Sequence, residues 1–522
     1  RHGELFDPDA YPFLEGRKKG TSYKDEAITS LPPISDDVVE RVLNKLLLLD
    51  GQILSYRSLD VEQIGSVYES IMGFTIEKTK AFSIGIIYRP PRQKINLTIV
   101  INAEDLISQD SSKREKWLKD EYKVDFKLSP KIKSNLKKAC DMKQLCDAFD
   151  NKLSSYTPRG LNKNSLILQP TSERKRSGSH YTPRILSEPI VEDAFRPWLE
   201  RFDYSPSEKE ILSLKVCDPA MGSGAFLVAA CRFMANYLVA SWSRDGFPQE
   251  FDNTIDKDIY ARRLIAQNCL YGVDKNPFAV SLAKLSLWLI TLSKDLPFTF
   301  VDHSLKCGDS IVGFSVKEIQ SSIKELQLPL ISFENQFLDS LSIERKYNFS
   351  KDNRDDISYD FKKKLLEEQF MASDQIRIAG DLMVAAFFEA KTKKERFQKQ
   401  QSYLSLLANN SEDKVIKNEA NKIRQNLFAH ENGINPFHWD LEFPEVFVKG
   451  GDGFDIFIGN PPFAGKNTIS EGHRNGIIDW FKKIHLQTHG NSDLVAHFFR
   501  RCFNLLKKDG SFGLIATNTI SE

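Results

Sequence analysis

From residue 214 onwards, short apolar runs with the pattern of β-strands alternate with segments of helical periodicity. The strand-like runs are residues 214–217, 270–273, 454–458 and 512–516. Helices are predicted from Ala225, from Pro277 and over residues 494–507. Strands that alternate with helices in this way form βαβ units on a parallel sheet. The predicted fold class is therefore α/β.

The regions outside this alternation differ from it in composition. Residues 315–435 are lysine-rich, helical in pattern and without a motif, which indicates a helical insertion between two strands. Upstream, helices are predicted over 36–50 and 61–72, and strands over 83–88 and 95–101, which gives an α-rich accessory domain with a small β element. We expect four parts: 1–170 (accessory domain), 171–314 (first part of the sheet domain), 315–435 (helical insertion) and 436–522 (second part of the sheet domain).

The bulk composition excludes several classes of protein. Seven cysteines without a C-x-x-C pair argue against a disulfide framework or a zinc site and suit a reducing cytoplasm. The longest apolar run, near residues 282–292, is interrupted by Lys284, so no membrane span is expected. A net charge of +1 gives no indication that the protein binds nucleic acid. Local basic stretches at 127–138 and 391–399 could contact phosphates, although a solvated helix face is the favoured interpretation.

A glycine-rich turn follows the first predicted strand, in residues 216–226 (Val-Cys-Asp-Pro-Ala-Met-Gly-Ser-Gly-Ala-Phe). Such a turn lets the backbone approach a ligand closely, although a plain strand–helix turn is the alternative. The segment lacks the lysine and the third glycine of the phosphate-binding patterns. Asp218 would repel a pyrophosphate and suits a ligand with cationic groups, such as a sulfonium and an ammonium.

Two further aspartates follow strand-like segments. Asp274 can accept hydrogen bonds from both ribose hydroxyls of a nucleoside, and helix capping is the alternative role. Asp309 can accept a hydrogen bond from an adenine amino group, or it is an ordinary turn aspartate. Both positions indicate a nucleoside-containing ligand.

The most informative motif comes directly after the strand predicted at 454–458. It consists of Asn460, Pro461, Pro462 and Phe463. The Asn460 side-chain oxygen and the Pro461 carbonyl can both accept from one NH2 group, on a loop stiffened by proline. Two acceptors localise the lone pair of an aromatic amine for attack on a methyl group, without a strong base or a metal. Phe463 offers a face on which a flipped-out base stacks.

These motifs, in this order, resemble the amino-methyltransferases of DNA. The resemblance is to the adenine-specific group of gamma order, in which the cofactor motifs precede Asn-Pro-Pro-aromatic and a target-recognition domain follows it. Within that group the chain is most similar to Eco57I-like and to BREX- or DISARM-type methylases of phage defence. Further blocks that resemble the family are residues 59–69, 175–184, 436–447 and 514–520.

The resemblance implies a Rossmann-like methyltransferase sheet, with S-adenosylmethionine (SAM) as cofactor and double-stranded DNA as partner, besides other phage-defence subunits. The implied catalytic residues are Asn460, Pro461, Pro462 and Phe463. The implied cofactor-binding residues are His180, Tyr181, Thr182, Pro183, Asp218, Ala220, Met221, Gly222, Gly224, Asp274, Lys275, Asp309 and Ser310. No metal is implied. The sheet and a target-recognition domain are expected to continue beyond residue 522.

Three alternatives remain at this point. Pro8-Asp9 with Glu15-Gly16-Arg17 faintly resembles a nuclease site, although Arg17 stands where a lysine is needed, so a bifunctional restriction–modification enzyme is one alternative. Methyltransferases of protein glutamine share the motif, but they are compact and usually carry tyrosine at its last position, so Phe463 favours DNA. The third alternative is a SAM- or DNA-binding subunit whose activity depends on partners.

Overall fold

The structure is a computed structural model that divides into two compact units, residues 63–181 and residues 1–62 with 182–522. It describes residues 9, 12, 16–18, 35–49, 51–53, 63, 73–89, 96–155, 157, 160–170, 182–248, 251, 256–292, 299, 301–326, 359–408, 414–429, 432–447, 452–485 and 491–516. The expected boundary of the accessory domain at residue 170 remains a prediction.

The first helix is shorter than the predicted span of 36–50. It covers Asp36–Leu47 and ends because Leu48 adopts an extended backbone. Two short antiparallel strands follow, β1 (Leu48–Leu49) and β2 (Gln52–Ile53). Gly51 lies between them with a φ of +79°, a conformation that favours glycine. Apart from Gln63, the helix predicted over 61–72 lies outside the described residues.

The unit 63–181 contains two antiparallel strand pairs. Its strands are β3 (Phe74–Lys78), β4 (Ser83–Tyr88), β5 (Leu97–Asn102) and β6 (Leu166–Pro170). β3 pairs with β6 and β4 with β5, which confirms the strand predicted at 83–88 and moves its predicted neighbour from 95–101 to 97–102. Gln169 links the two pairs, since its side-chain amide bonds Val100 N at 2.9 Å and Val100 O at 2.8 Å.

Helices pack against this β element around a core that includes the fully buried Ile84, Ile99 and Leu145. Their bounds are Ala103–Ser108, Arg114–Tyr122, Pro130–Lys138 and Met142–Phe149, followed by the 3-10 turn Asp150–Lys152. The expected combination of helices with a small β element is confirmed for the described part of this unit.

The other unit contains a five-stranded, all-parallel sheet. Its strands are β7 (Val216–Asp218), β8 (Leu270–Asp274), β9 (Leu305–Cys307), β10 (Phe454–Gly459) and β11 (Leu506–Leu514). The spatial order is β11-β10-β7-β8-β9. The chain therefore runs outwards from β7 to β9 and returns to place β10 on the other side of β7. The predicted α/β class with a parallel sheet is confirmed.

Five helices that precede or connect the first three strands share one apolar core with the sheet. They are Arg184–Glu200, Glu208–Ser213, Ala225–Asp245, Lys257–Asn268 and Pro277–Thr291. Contrary to the expectation that no apolar segment reaches membrane-spanning length, Ala225–Asp245 does so by length and composition. Leu227, Ala230 and Leu238 of this helix are fully buried in the core of the unit, which accounts for its apolar character.

The described part of the segment between β9 and β10 consists mainly of helices, as predicted for 315–435. Its helices are Val316–Glu325, Tyr359–Glu389, Lys393–Ala408 and Lys414–Phe428, and the short helices Trp439–Glu442 and Pro444–Phe447 follow. Beyond β10 lie Lys466–Gly472, Ile477–Ile484 and Leu494–Leu505.

The end of the chain corrects two predicted boundaries. The last helix stops at Leu505 and not at 507, and the following strand covers Leu506–Leu514 and not 512–516. The strand begins early because Leu506 already pairs with Phe454, and the pairing then shifts register before it resumes at Ser511. Asp509, with a φ of +65°, lies in this irregular stretch.

A buried ion triad joins the helical segment to the sheet. The Glu442 carboxylate lies 3.0 Å from Lys306 Nζ on β9 and 3.0 Å from Arg377 Nε on the helix Tyr359–Glu389. Lys306 also donates to the Glu442 carbonyl at 2.6 Å. Although burial opposes ionisation, the two cations lower the pKa of Glu442 to about 2. One carboxylate thus neutralises two buried positive charges from distant parts of the chain.

We predict that Glu442→Gln destabilises the protein by about 3–5 kcal/mol, because the neutral amide keeps the shape but leaves two cations without a counter-charge. Urea denaturation would measure the loss. The matched control is Glu419→Gln, at an exposed position of the helix Lys414–Phe428. Equal stability of the two variants would contradict the role given to Glu442.

Candidate active site

The residues predicted to form a site follow four neighbouring parallel strands. Asp218 ends β7 and Asp274 ends β8, whereas Asp309 comes two residues after β9 and Asn460 directly after β10. The carboxyl ends of parallel strands lie at one edge of a sheet. The chain reverses its direction across the sheet between β7 and β10, and open α/β sheets bind ligands at such a point.

The glycine turn after β7 is held by backbone hydrogen bonds. Met221 N donates to Val273 O at 3.0 Å and Gly224 N to Met221 O at 2.8 Å. Gly222 and Gly224 have φ angles of +51° and +83°, which favour glycine. A Cβ on Gly224 would lie 3.1 Å from the Ala283 side chain, whereas one on Gly222 would meet nothing within 4 Å. Gly224 therefore serves helix packing, and Gly222 leaves its side of the turn open.

Two carboxylates bind the backbone of this turn. Asp218 accepts from Ala220 N at 3.0 Å, and Asp274 accepts from Gly222 N at 2.9 Å and from Asn276 N at 2.8 Å. Asp218 is buried, and desolvation together with the negative charge of Asp274 raises its pKa to about 8. The two carboxyl groups therefore lie next to an open stretch of backbone, where the positive charge of a cationic ligand would favour the ionised form of Asp218.

Asp309 and Ser310 lie beside the segment that precedes β10. Asp309 N donates to Asn435 O at 2.7 Å, and the buried Trp439 indole donates to Ser310 O at 2.9 Å. Burial raises the pKa of Asp309, while the positive charges of Lys275 and Arg501 act against the shift. Lys275 itself is exposed. These contacts place Asp309 next to the predicted family block 436–447.

The loop after β10 is fixed at its start. Gly459 has a φ of +155°, and a Cβ there would lie 2.6 Å from Asp218 Oδ1. Asn460 Nδ2 donates to Thr182 Oγ1 at 3.2 Å. Asn460 Oδ1 is buried, and among the described residues it has no hydrogen-bond partner. Pro461 is buried. A hydrogen-bond acceptor is thus held at the sheet edge without a donor in the part of the chain that the structure describes.

The same loop is fixed again after Phe463. Ala464 N donates to the Asp493 carboxylate at 3.1 Å, and Leu494 N donates to Ala464 O at 2.9 Å. Asp493 also caps the helix Leu494–Leu505 through Val495 N. Between the two anchors, Pro462 is exposed and the Phe463 side chain is 44% exposed. An aromatic face is therefore presented to solvent on a loop that is held at both ends.

Some predicted residues cannot be placed with the others. His180 and Tyr181 lie outside the described residues. Pro183 precedes the helix Arg184–Glu200, and its carbonyl accepts from Leu186 N at 2.9 Å. Thr182 is buried and reaches the site through Asn460.

Charged residues that suggested a nuclease site or phosphate contacts form ion pairs within the protein. Arg17 forms an ion pair with Asp9 at 3.0 Å, so the arginine of the nuclease-like pattern neutralises its aspartate; Pro8 and Glu15 are outside the described residues. In the basic stretch 391–399, Lys399 pairs with Glu389 and Arg396 with Asp479. In the described part of the chain, no group of three or more His, Cys, Asp or Glu could hold a metal ion.

Three residues outside the predicted set also shape the site. Gly459 precedes the motif and provides the close approach to Asp218, Asp493 anchors its far end, and Arg501 places a positive charge near Asp309. Only Gly459 carried a local signal, as a glycine at the end of a predicted strand, where close backbone approach is common. The other two act on residues distant in sequence.

Comparison with known families gives two matches, and both fall on the sheet-containing unit. Residues 268–522 match the Eco57I restriction-modification methylase, and residues 204–308 match the DNA-methyltransferase domain of MmeI. The resemblance to Eco57I-like methylases inferred from the motifs is thereby confirmed.

Three curated proteins are similar to the chain. A putative type II restriction enzyme and methyltransferase of Methanocaldococcus jannaschii is 23% identical over 59% of this chain. The type II restriction enzyme and methyltransferase RM.Eco57I of Escherichia coli is 27% identical over 26% of it, and the adenine-specific methyltransferase PglX of Streptomyces coelicolor 28% over 28%. The aligned segments span only 26%, 15% and 11% of these relatives, respectively.

We predict that Asp218→Asn stabilises the protein increasingly as the pH rises. The folded protein keeps the Asp218 proton up to a pKa of about 8, whereas the unfolded chain loses it near pH 4. Ionisation therefore lowers the stability of the parent protein between these values, by several kcal/mol at pH 8. Asparagine cannot ionise and can still accept from Ala220 N.

Thermal denaturation between pH 4 and pH 8 would measure this difference. The control is Asp120→Asn, at an exposed helical position. A difference between Asp218→Asn and the parent that does not grow with pH would contradict the raised pKa.

Proposed function

We propose that this Eco57I-like chain transfers a methyl group from SAM to N6 of a flipped-out adenine in double-stranded DNA. The observation that carries the proposal is Asn460 Oδ1, a buried acceptor without a partner among the described residues, at the edge where β7 meets β10. Such an acceptor suits an incoming amine, because a buried acceptor costs free energy until a donor reaches it. The match to the Eco57I methylase and the names of the relatives support the same activity.

The residues at the sheet edge fit SAM, and we propose a Rossmann-like methyltransferase arrangement for the sheet. Burial raises the pKa of Asp218 to about 8, and a ligand with a sulfonium and an ammonium would favour its ionised form. Asp274 holds Gly222 N, and the open side of Gly222 admits the ligand to the backbone. Asp274 would hold the ribose and Asp309 the adenine ring. When bound, SAM supplies an electrophilic methyl group.

In this proposal, the residues of the chain orient the amino group of the substrate adenine. Asn460 Oδ1 and the Pro461 carbonyl would each accept one N–H of the adenine amino group, which directs its lone pair away from the ring. The new N–C bond replaces one N–H bond, and the hydrogen leaves as a proton. Because the loop is fixed at Gly459 and at Ala464, both acceptors are placed before the substrate arrives.

Phe463 would stack on the extruded base. Its side chain is 44% exposed on a loop anchored at both ends, so it needs no rearrangement to meet a base. Stacking depends little on base identity, whereas the two acceptors require an amino group. Together they select a base with an exocyclic amino group, and the adenine-specific relative favours adenine.

The domain organisation and the cellular role of the protein are also part of the proposal. Residues 171–314 and 436–522 would form the methyltransferase domain, with the helices of 315–435 inserted in it and 1–170 as an accessory domain. Action within a restriction–modification or phage-defence system, in the cytoplasm and together with other subunits, is proposed from the relatives.

A second candidate is a bifunctional restriction–modification enzyme. Two relatives are named as both restriction enzyme and methyltransferase, which is the observation that favours it. Incubation of the full-length protein with unmethylated plasmid and Mg²⁺ would test it. Cleavage that premethylation prevents is the result expected of such an enzyme.

We predict that Asn460→Ala abolishes methyl transfer and leaves SAM binding nearly intact, because the side chain acts on the amine. Transfer of tritiated methyl groups to DNA measures the first effect, and calorimetry with SAM the second. Asn418→Ala, at an exposed position of the helix Lys414–Phe428, is the control. Methyl transfer by Asn460→Ala at the rate of the parent protein would refute the proposed role. Transfer to a glutamine-containing protein and not to DNA would refute the substrate.

We predict that Phe463→Ala weakens capture of the base by about 1–3 kcal/mol, the free energy of one base–aromatic stack. DNA with 2-aminopurine at the target position reports flipping through its fluorescence. Phe397→Ala is the control, since Phe397 is 49% exposed on the helix Lys393–Ala408. An unchanged fluorescence signal in Phe463→Ala would count against stacking.

A further inference from the structure

We propose that Thr182 is a positioning residue for Asn460. Its hydroxyl anchors the side-chain amide and leaves Oδ1 for the substrate amine. The inference rests on the proposed function, and it gives Thr182 a role beyond the cofactor contact that the sequence resemblance implies.

The contact between the two residues is a partly buried hydrogen bond of ordinary length. Asn460 Nδ2 donates to Thr182 Oγ1 at 3.2 Å, and the residues lie 278 positions apart in the chain. Thr182 is 8% exposed. At the other end of the same amide, Oδ1 is buried and has no partner in the described part of the chain. In the described part of the chain, Nδ2 therefore has a protein partner, whereas Oδ1 is left to accept from a ligand.

The backbone leaves little other freedom to Asn460. The preceding Gly459 lies so close to Asp218 that a Cβ would be 2.6 Å from its carboxylate oxygen. The following Pro461 has a fixed φ and is buried. With the backbone held on both sides, rotation of the side-chain amide is the main remaining movement.

The two orientations of that amide differ in chemistry but hardly in shape. With Oδ1 towards the substrate, an acceptor meets the amino group of adenine; after a half-turn, an NH2 group would face another NH2 group. In the productive orientation Nδ2 needs a buried acceptor, and the Thr182 hydroxyl provides it. After a half-turn the same hydroxyl would donate to Oδ1, so Thr182 anchors the amide and the amino group of the substrate selects the orientation. Without the hydroxyl, this end of the amide is left unsatisfied and is held less firmly.

Thr182→Val tests this role, because valine keeps the shape of threonine and removes the hydroxyl. We expect kcat for adenine methylation to fall by roughly 10-fold or more, from the cost of an unsatisfied buried donor. The rates are compared at saturating SAM, so that a change in the Kd for SAM does not enter kcat. Thr182→Ser restores the hydroxyl and should recover most of the lost rate. The matched control is Thr75→Val in β3, far from Asn460 in sequence and in the other compact unit.

A second readout does not depend on catalysis. In the full chain labelled with 15N-asparagine, the side-chain amide signal of Asn460 is identified by its loss in Asn460→Ala. We expect Thr182→Val to shift this signal and to speed its hydrogen exchange, whereas Thr182→Ser leaves both close to the parent values.

The outcomes separate the two proposals. An unchanged amide signal in Thr182→Val, or equal rate losses in the valine and serine variants, would overturn the role of Thr182. A parent protein that transfers no methyl group to DNA would contradict the proposed function, while the amide signal would still decide whether the Thr182 bond exists.

Discussion

The close approach of Gly459 to the Asp218 carboxylate is the constraint on which the site depends. It exists because β7 and β10 pair in parallel, with Ile456 opposite Val216 and Phe457 opposite Cys217. This pairing brings the start of the glycine turn and the start of the Asn-Pro-Pro-Phe loop to one point. A side chain at residue 459 would push the two ends apart and misplace Asn460. The cofactor-facing and substrate-facing parts of the proposed site thus share one backbone contact.

Local patterns predicted much of this molecule, because strand periodicity, turn glycines and short motifs are properties of neighbouring residues. The strands β4, β8 and β10 appear within a residue of their predicted positions. The ordered motifs also gave the resemblance to Eco57I-like methylases, which the family match confirms. The boundary at Leu506 was wrong because pairing with Phe454, a tertiary contact, outweighed local helical periodicity.

The interactions that hold the site in place could not be predicted in the same way. The bond between Thr182 and Asn460 and the triad of Glu442 with Lys306 and Arg377 each join residues far apart in the chain. Nothing in the neighbourhood of Arg377 distinguishes it from the many other charged residues of a lysine-rich helical segment. Burial and charge pairing of this kind become visible only when the fold is known.

The order of the strands also affects how the protein folds. β7 and β10 are neighbours in the sheet, yet all of β8, β9 and the helices of 315–435 lie between them in the chain. Contacts of such high sequence separation form slowly, because a long loop must close before they are gained. During synthesis, β7–β9 can assemble well before β10 emerges, and the exposed edge of β7 is then open to mispairing. The helical segment sets the length of this interval, so its own rapid folding shortens the distance that β10 has to search.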